Sequence, residues 1–289
     1  MRVGLIGLGV MGWRIAANLA QDGLLSAVFN RTRQKAEEFS KRYGVQAARD
    51  YGELAKSADL IITMLSDDEA VKEVVSALLP YVASKIVVDM STISPETSTS
   101  LAEEVRRRGG VMFDAPVIGT SVAVERRAIV VLVGGPKESY PPVEEVLRHT
   151  ASAVVYVGPN GYGLYAKLVN NLFLGAYLAA LAEAFSFGVR AGLSPQFLID
   201  LLTKYSSARS PTSELKAPKL AARDYSVQFA IKHMRKDLEI IQEVARRLKA
   251  PVPISALSLQ LFRLAEELGL SEEDVAAVYE VLRGRTKPA

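Results

Sequence analysis

The apolar positions of the chain fall into two regimes. Up to about residue 160, short apolar runs alternate with stretches of helical spacing; beyond it only helical spacing remains. The runs Arg2–Ile6, Leu24–Phe29, Asp59–Met64, Lys85–Asp89, Val111–Asp114, Ile129–Val133 and Ser152–Val157 read as strands. Trp13–Ala20 and the segments opened by Asp67 and by Ser94-Pro95 read as helices, with Ser66 or Asp67 as cap of the first and Pro95 at the first position of the second. Gly158-Pro159-Asn160-Gly161 breaks the alternation and marks a boundary. One long helix is expected over Gly163–Ala191, a second from Ser194-Pro195 to Lys204, then a Ser- and Pro-rich loop over Tyr205–Pro218. Helices follow over Val227–Lys249 and Ser255–Leu268, and Ser271-x-x-Asp274 reads as a capping box opening the last. The expectation is an α/β Rossmann domain over residues 1–160, followed by an all-α domain over 161–289 entered through the long helix.

The start of that helix carries unusual chemistry. Lys167 and Asn171 are four apart and share a face, and Asn170 borders it. Gly163 and Gly175 lie about one turn to either side and bring no side chain, which would let another backbone or a flat ligand come close. The plainer reading is a solvated helix end; the apolar run Leu172–Leu181 argues against it.

At the other end of the chain, Gly7-Leu8-Gly9-Val10-Met11-Gly12 is a G-x-G-x-x-G stretch between a strand and a helix. Gly7 permits a tight turn, Gly9 lets a pyrophosphate approach the backbone, and Gly12 lets helix and strand pack closely. The second strand ends in Asn30-Arg31-Thr32, followed by Arg33 and Lys35, where an NAD-specific site would carry an acidic residue. With no carboxylate to repel a 2′-phosphate and Arg31 able to meet it, NADP is expected, NAD being the second choice. A solvated helix start is the competing reading of Arg31 and Arg33. Ligands of such sheets lie beyond the carboxyl ends of the strands, which places Met64-Leu65-Ser66 and Ser91-Thr92 at the cofactor crevice; for Ser66 and Ser91, ordinary capping explains the residue equally well.

Composition narrows the classes. Lys plus Arg is 35 against 32 Asp plus Glu, a net charge of +3, which gives no support for nucleic-acid binding. Without cysteine there are no disulfides or thiolate metal sites, and His149 and His233 sit in no ligand spacing, so no metal site is expected. Val3–Ile6 is too short for a signal peptide, and the uninterrupted apolar stretch Leu172–Ala182 is about half a membrane span, so a cytoplasmic protein without membrane contact is expected.

Several of these segments, in this order, resemble the β-hydroxyacid dehydrogenase family, which includes 3-hydroxyisobutyrate dehydrogenase, tartronate semialdehyde reductase and, more distantly, 6-phosphogluconate dehydrogenase. They are the Gly7–Gly12 loop, Met90-Ser91-Thr92, Asp114-Ala115-Pro116-Val117, Gly161–Asn171 and Lys236-Asp237-Leu238. The resemblance implies Lys167 as catalytic lysine, Asn171 as a carboxamide holding substrate, Thr92 at the nicotinamide side, and Lys236 reaching the cofactor from the helical domain. It implies a small 3-hydroxy acid, such as 3-hydroxyisobutyrate or serine, bound between the domains and oxidised to the semialdehyde, with Lys167 carrying the proton. Dimers or tetramers through the helices are implied as well. The family's Ser-Gly-Gly that holds the substrate carboxylate is here Ile118-Gly119-Thr120, so the hydroxyl donor is lost, and backbone N–H groups, Thr120 or Ser121 are left for the anion. Arg209 could meet an anionic group, although an exposed loop arginine explains it more simply. Two other readings compete. A semialdehyde or imine reductase of the same superfamily shares the fold, but imine reductases generally lack the lysine. A non-catalytic NADP-binding scaffold would be expected to lose Lys167.

Overall fold

The apolar runs of the N-terminal half become strands of one sheet whose two faces are both covered. A computed structural model describes residues 1–284 and divides the chain into two compact units, Met1–Lys167 and Leu168 onward. In the first, β1 (Val3–Ile6), α1 (Val10–Gln21), β2 (Leu25–Phe29), α2 (Arg33–Tyr43), β3 (Gln46–Ala47), α3 (Tyr51–Ser57), β4 (Leu60–Thr63), α4 (Asp68–Leu78), β5 (Ile86–Asp89), α5 (Pro95–Arg107) and β6 (Val111–Asp114) alternate. Then come β7 (Val117–Ile118), α6 (Ser121–Glu125), β8 (Ile129–Gly134), α7 (Tyr140–Arg148) and β9 (Ala151–Gly158).

Among the described residues the sheet runs β3-β2-β1-β4-β5-β6, all parallel; β6 and β7 then lie antiparallel along one edge of β8, and β9 pairs with β8 in parallel. Alternate residues of each strand bury on opposite faces. Val3, Leu5, Leu60, Ile62 and Val88 pack with Ile15, Leu19 and Phe39. Ile61, Val87 and Met112 pack with Leu54, Val71, Val75 and Leu101. Each such side chain contributes about 1.5–3 kcal/mol on burial, which is why these runs contain almost nothing polar. The chain reverses direction across the sheet at β1, with β2 on one side and β4 on the other. A crevice therefore opens beyond the carboxyl ends of β1 and β4.

The long helix α8 (Tyr162–Arg190) starts in the first unit and continues into the second. By length and composition it could cross a membrane. Within the second unit it buries Leu178, Leu181, Ala182 and Phe185 as a core helix does. Gly175 receives Leu238 and Met234 of the helix Ile231–Leu248 at 3.0 and 3.3 Å from where a Cβ would stand, so its missing side chain serves helix packing and not a flat ligand.

The rest of the second unit is α9 (Pro195–Asp200), extended by a π turn over Leu201–Tyr205, then α10 (Pro211–Ala222), α11 (Ile231–Leu248), α12 (Pro253–Glu267), a 3-10 turn over Val275–Val278, and α13 (Tyr279–Arg283). Two sequence expectations are corrected. Tyr205–Pro218 is not a loop throughout: Ser210 caps α10 by accepting from the Ser213 amide, the Ser213 hydroxyl accepts from the Ser210 amide, and Pro211 takes the first helical position. The Ser and Pro residues that read as loop are a helix start. Nor does Ser271 form a capping box with Asp274. Ser271 donates to Glu266, whereas Asp274 caps the 3-10 turn through the Ala276 amide.

Candidate active site

The loop from β1 to α1 is built by steric exclusion. Gly7 has φ +102°, and a Cβ there would stand 2.3 Å from the Met64 carbonyl oxygen; a Cβ on Gly12 would stand 1.9 Å from the Gly7 oxygen. Both positions admit glycine alone. Gly9 is different: a Cβ there would meet nothing within 4 Å. Open space thus lies in front of the N-terminus of α1, whose cap residue Gly9 brings no side chain and whose first turn holds no acid. Unsatisfied amides and the positive end of a helix dipole face that space, which fits a dinucleotide pyrophosphate. Val10, 62% exposed at this opening, is an apolar side chain left facing outward.

The second-strand exit departs from the simple reading of its residues. Asn30 does not extend its carboxamide outward: Oδ1 accepts from the Leu8 amide at 2.9 Å and Nδ2 donates to the Thr32 carbonyl at 3.0 Å. It therefore ties the glycine loop to the start of α2. Arg31 and Thr32 are exposed beside it, Thr32 is the cap residue of α2 without a side-chain cap bond, and the first turn contains no acid.

The exits of β4 and β5 are joined by a buried network. Asp89 Oδ1 accepts from Thr63 Oγ1 at 2.7 Å and from Ser91 Oγ at 2.6 Å, and Ser91 Oγ accepts from the Leu65 amide at 2.9 Å. Ser91 is thus neither a cap nor an open lining residue; it fixes the Met64-Leu65 turn against β5. The cap of α4 is Asp67, which accepts from Ala70, and Ser66 donates to Asp67 from an exposed position. Thr92 is half-buried directly after this network.

Lys167, half-buried, sits in the second turn of α8. The first turn is held by a residue whose role the sequence did not disclose. Asp114, at the end of β6 and fully buried, accepts from the Gly161 amide at 2.7 Å and from the Leu164 amide at 2.9 Å. Gly134 and Gly163 leave room for it, since a Cβ on either would stand within 2.8 Å of its carboxylate. In the second unit Asp237 brings two predicted residues together: its Oδ2 accepts from Asn171 Nδ2 at 2.6 Å and its Oδ1 lies 3.2 Å from Lys236 Nζ. Asn171 Oδ1 accepts from Asn170 at 2.9 Å. Burial holds His233, one turn before Lys236, below the usual histidine range, and the Lys236 charge adds to the effect.

In the loop expected to take the substrate carboxylate, Ile118 belongs to β7, Gly119 has φ +138°, Thr120 Oγ1 accepts from Ala123 as cap of α6, and Ser121 is buried. The Thr120 hydroxyl oxygen therefore accepts one bond as a cap, which leaves its O–H able to donate. Arg209 donates to the Lys204 carbonyl at 3.3 Å in an exposed loop, the plainer of its two readings.

A glycine loop at the switch point, open amides on α1 and an acid-free start of α2 define a Rossmann protein that binds a nicotinamide dinucleotide. Residues 2–158 match the model of the NAD binding domain of 6-phosphogluconate dehydrogenase, and residues 161–282 that of the NAD-binding domain of NADP-dependent 3-hydroxyisobutyrate dehydrogenase. The chain is 32% identical over 286 residues to 2-(hydroxymethyl)glutarate dehydrogenase of Eubacterium barkeri, covering 97% of this chain and 94% of that one. It is 34% identical over 292 residues to the mitochondrial 3-hydroxyisobutyrate dehydrogenase of Mus musculus, covering 97% and 87%. The solved structure of Mycobacterium tuberculosis 3-hydroxyisobutyrate dehydrogenase with L-serine superposes with a TM-score of 0.89 at 26% identity, covering 98% and 100%. The chain belongs to the β-hydroxyacid dehydrogenase family and is an NAD(P)-dependent enzyme of that family. These matches support NADP as its cofactor.

Proposed function

We propose that the chain interconverts a small 3-hydroxy acid, of the 3-hydroxyisobutyrate or serine type, and its semialdehyde, with NADP preferred over NAD and Lys167 as the proton carrier. The observation that carries this reading is the seating of α8: Asp114 pins its first turn to the end of β6, which sets Lys167 within the same unit as the glycine loop and Thr92. When bound, NADP accepts or returns the hydride. Gly7–Gly12 holds its pyrophosphate, Met64, Leu65, Ser66 and Thr92 its nicotinamide half, and Arg31 and Thr32 its 2′-phosphate. Neutral Lys167 Nζ takes the proton of the substrate 3-hydroxyl in oxidation, and protonated Lys167 returns it in reduction. The Asn171–Asp237–Lys236 cluster supports Asn171 as a holder of substrate and Lys236 as a contact to the cofactor, since one carboxylate meets both head groups. Because Ile118 has no hydroxyl, the substrate carboxylate falls to backbone N–H groups around Gly119 and to the Thr120 hydroxyl, whose oxygen accepts from the Ala123 amide while its O–H can still donate.

The test follows the absorbance of the reduced nicotinamide with NADP⁺ and NAD⁺ against a panel of small 3-hydroxy acids and 3-hydroxy amino acids. Turnover on at least one, with NADP⁺ favoured, is the expected result. Charge-assisted hydrogen bonds are worth about 1.5–3 kcal/mol, so Arg31→Glu should raise KM for NADP⁺ roughly 10- to 100-fold and leave KM for NAD⁺ nearly unchanged. An equal effect on both cofactors would remove Arg31 from the phosphate site, and no turnover on any acid would remove the reaction.

Self-association belongs to the same reading. Val169, Phe173 and Phe187 are 70%, 70% and 75% exposed, and their spacing of four and eighteen residues puts them on one face of α8. Sedimentation should report a dimer or tetramer that weakens in Phe173→Glu; a monomer at micromolar concentration would reject it.

A further inference from the structure

We infer that Asp114 is a positioning residue for the proton carrier: its carboxylate, held between Gly134 and Gly163, sets the first turn of α8 and through it the place of Lys167. The inference rests on the role proposed for Lys167.

The observations converge from separate elements of the first unit. Asp114 is the last residue of β6, and its two oxygens divide between two helix-start amides, Gly161 at 2.7 Å and Leu164 at 2.9 Å. Those amides are among the donors that a helix leaves unpaired at its N-terminus. Lys167 follows Leu164 by three residues, so a change in the angle of that turn is carried directly to Nζ. The cradle is shaped for the carboxylate. A Cβ on Gly134 would stand 2.7 and 2.8 Å from its two oxygens, and one on Gly163 would stand 2.8 Å from Oδ2 and 2.5 Å from the Leu132 carbonyl oxygen. No alanine fits at either glycine without moving the acid or the helix. Asn160, just before the helix, adds a bond from Nδ2 to the Met112 carbonyl at 2.7 Å.

The charge on Asp114 is held at some cost. Burial pushes its carboxyl up to about 6; the Gly161 and Leu164 amides oppose this, and the charge of Asp89, its register partner on β5, adds to it. β8 presents Gly134 to it, and α8 presents amides. Once protonated, the carboxyl has a hydrogen on one oxygen and can no longer accept from both amides as an anion. A carboxyl raised in the folded state favours folding most at low pH, and that contribution is lost as pH rises from about 4 through about 6. Helix seating and stability therefore respond to this group in opposite directions.

The test compares wild type, Asp114→Asn, Gly163→Ala and Lys167→Ala by kcat, by KM, by the NADPH dissociation constant from fluorescence titration, and by thermal midpoint, from pH 5 to 8. Asparagine keeps the shape but turns an NH2 toward one of the two amides. Asp114→Asn is expected to lower kcat at least tenfold at pH 7.5 with NADPH binding within threefold of wild type. The wild-type to Asp114→Asn ratio of kcat should shrink as pH falls to 5, where wild-type Asp114 is itself protonated. Gly163→Ala should lower kcat in the same way with the acid still present. A ratio independent of pH, or loss of NADPH binding together with turnover, would mean that Asp114 only holds the unit together and would overturn the inference. If Lys167→Ala loses turnover and Asp114→Asn keeps it, positioning fails while the role of Lys167 stands. If Lys167→Ala keeps turnover, the role of Lys167 fails and the inference with it.

Discussion

Replacing Lys167 by alanine is expected to lower kcat about 10³-fold while the NADPH dissociation constant stays within threefold, since positioned proton transfer contributes about 10²–10⁴-fold. The lysine lies one and a half turns into α8, beyond the Asp114 clamp, and belongs to neither the glycine-loop segment nor α2. Its loss should leave the cofactor site intact. Arginine at this position makes the prediction sharper. It keeps the positive charge and much of the reach, but a guanidinium does not give up its proton at accessible pH. Lys167→Arg should therefore be as inactive as Lys167→Ala in the oxidation direction. Were arginine to restore more than a tenth of wild-type turnover, Lys167 would be acting through its charge, orienting an anionic substrate, and the proton carrier would have to be another group. The pH dependence has a definite sign. Oxidation needs the neutral amine and should rise with pH through the lysine's titration; reduction needs the ammonium and should fall over the same range. Measuring both directions in one set of buffers separates this limb from any loss of folded protein, which would lower both together.

How far the sequence disclosed this depended on what kind of signal each feature leaves. The sheet was legible because Val3–Ile6, Leu60–Thr63 and Ile86–Asp89 are each long enough and apolar enough to be read without neighbours. β3 and β7, with two residues each, and the five-residue α6 are shorter than any period that could announce them. The glycine loop was legible because its three glycines have separate steric reasons, and those at Gly7 and Gly12 appear in the contacts a Cβ would make. Side chains that act by holding other parts were much less so. Asn30 stands in the Asn30-Arg31-Thr32 stretch at the end of β2, and no local pattern shows that its carboxamide bonds to Leu8 and Thr32. Ser91 looked like a cap or a lining residue, and it is a buried link between Asp89 and Leu65. A partner in such a link can be 26 residues away for Ser91 and 47 for Asp114, and no local pattern reports a contact over that distance. One signal was available: Asp89 and Asp114 each close an apolar strand with a carboxylate that the sheet buries, and a buried carboxylate needs donors. Asp237 in the middle of α11 gave no such warning, because adjacent charged residues on an amphipathic helix usually face water.

The largest effect on stability is expected at a pair far from this chemistry in sequence. Lys216 on α10 and Asp274 before the 3-10 turn form a buried ion pair at 2.7 Å. Burial holds the Lys216 ammonium below its ordinary range, and the Asp274 charge only partly offsets this. The two partners are not equivalent. Lys216 has one further bond, to the Gln228 side chain at 3.1 Å. Asp274 also accepts from the amides of Gln228, Phe229 and Ala276, so one carboxylate joins α10, the entry to α11 and the C-terminal turn. Breaking a buried pair from one side generally costs about 3–5 kcal/mol, because the remaining charge has lost its partner. Here the stranded groups decide where in that range each variant falls. Lys216→Met leaves an aspartate that still has three amide donors, and the methionine fills most of the lysine's apolar volume, so its cost should sit at the low end. Asp274→Leu strands the ammonium together with three amides, one buried and two half-buried, and should reach or exceed about 5 kcal/mol, enough to unfold a unit of ordinary stability. Adding Lys216→Met to Asp274→Leu should recover only a minor part of that loss, because the amides stay unpaired. Denaturant unfolding of the three variants tests this order. Equal costs for the two single variants, or near-complete recovery in the double variant, would show that the charge pair itself and not the amide cage around Asp274 holds these segments together.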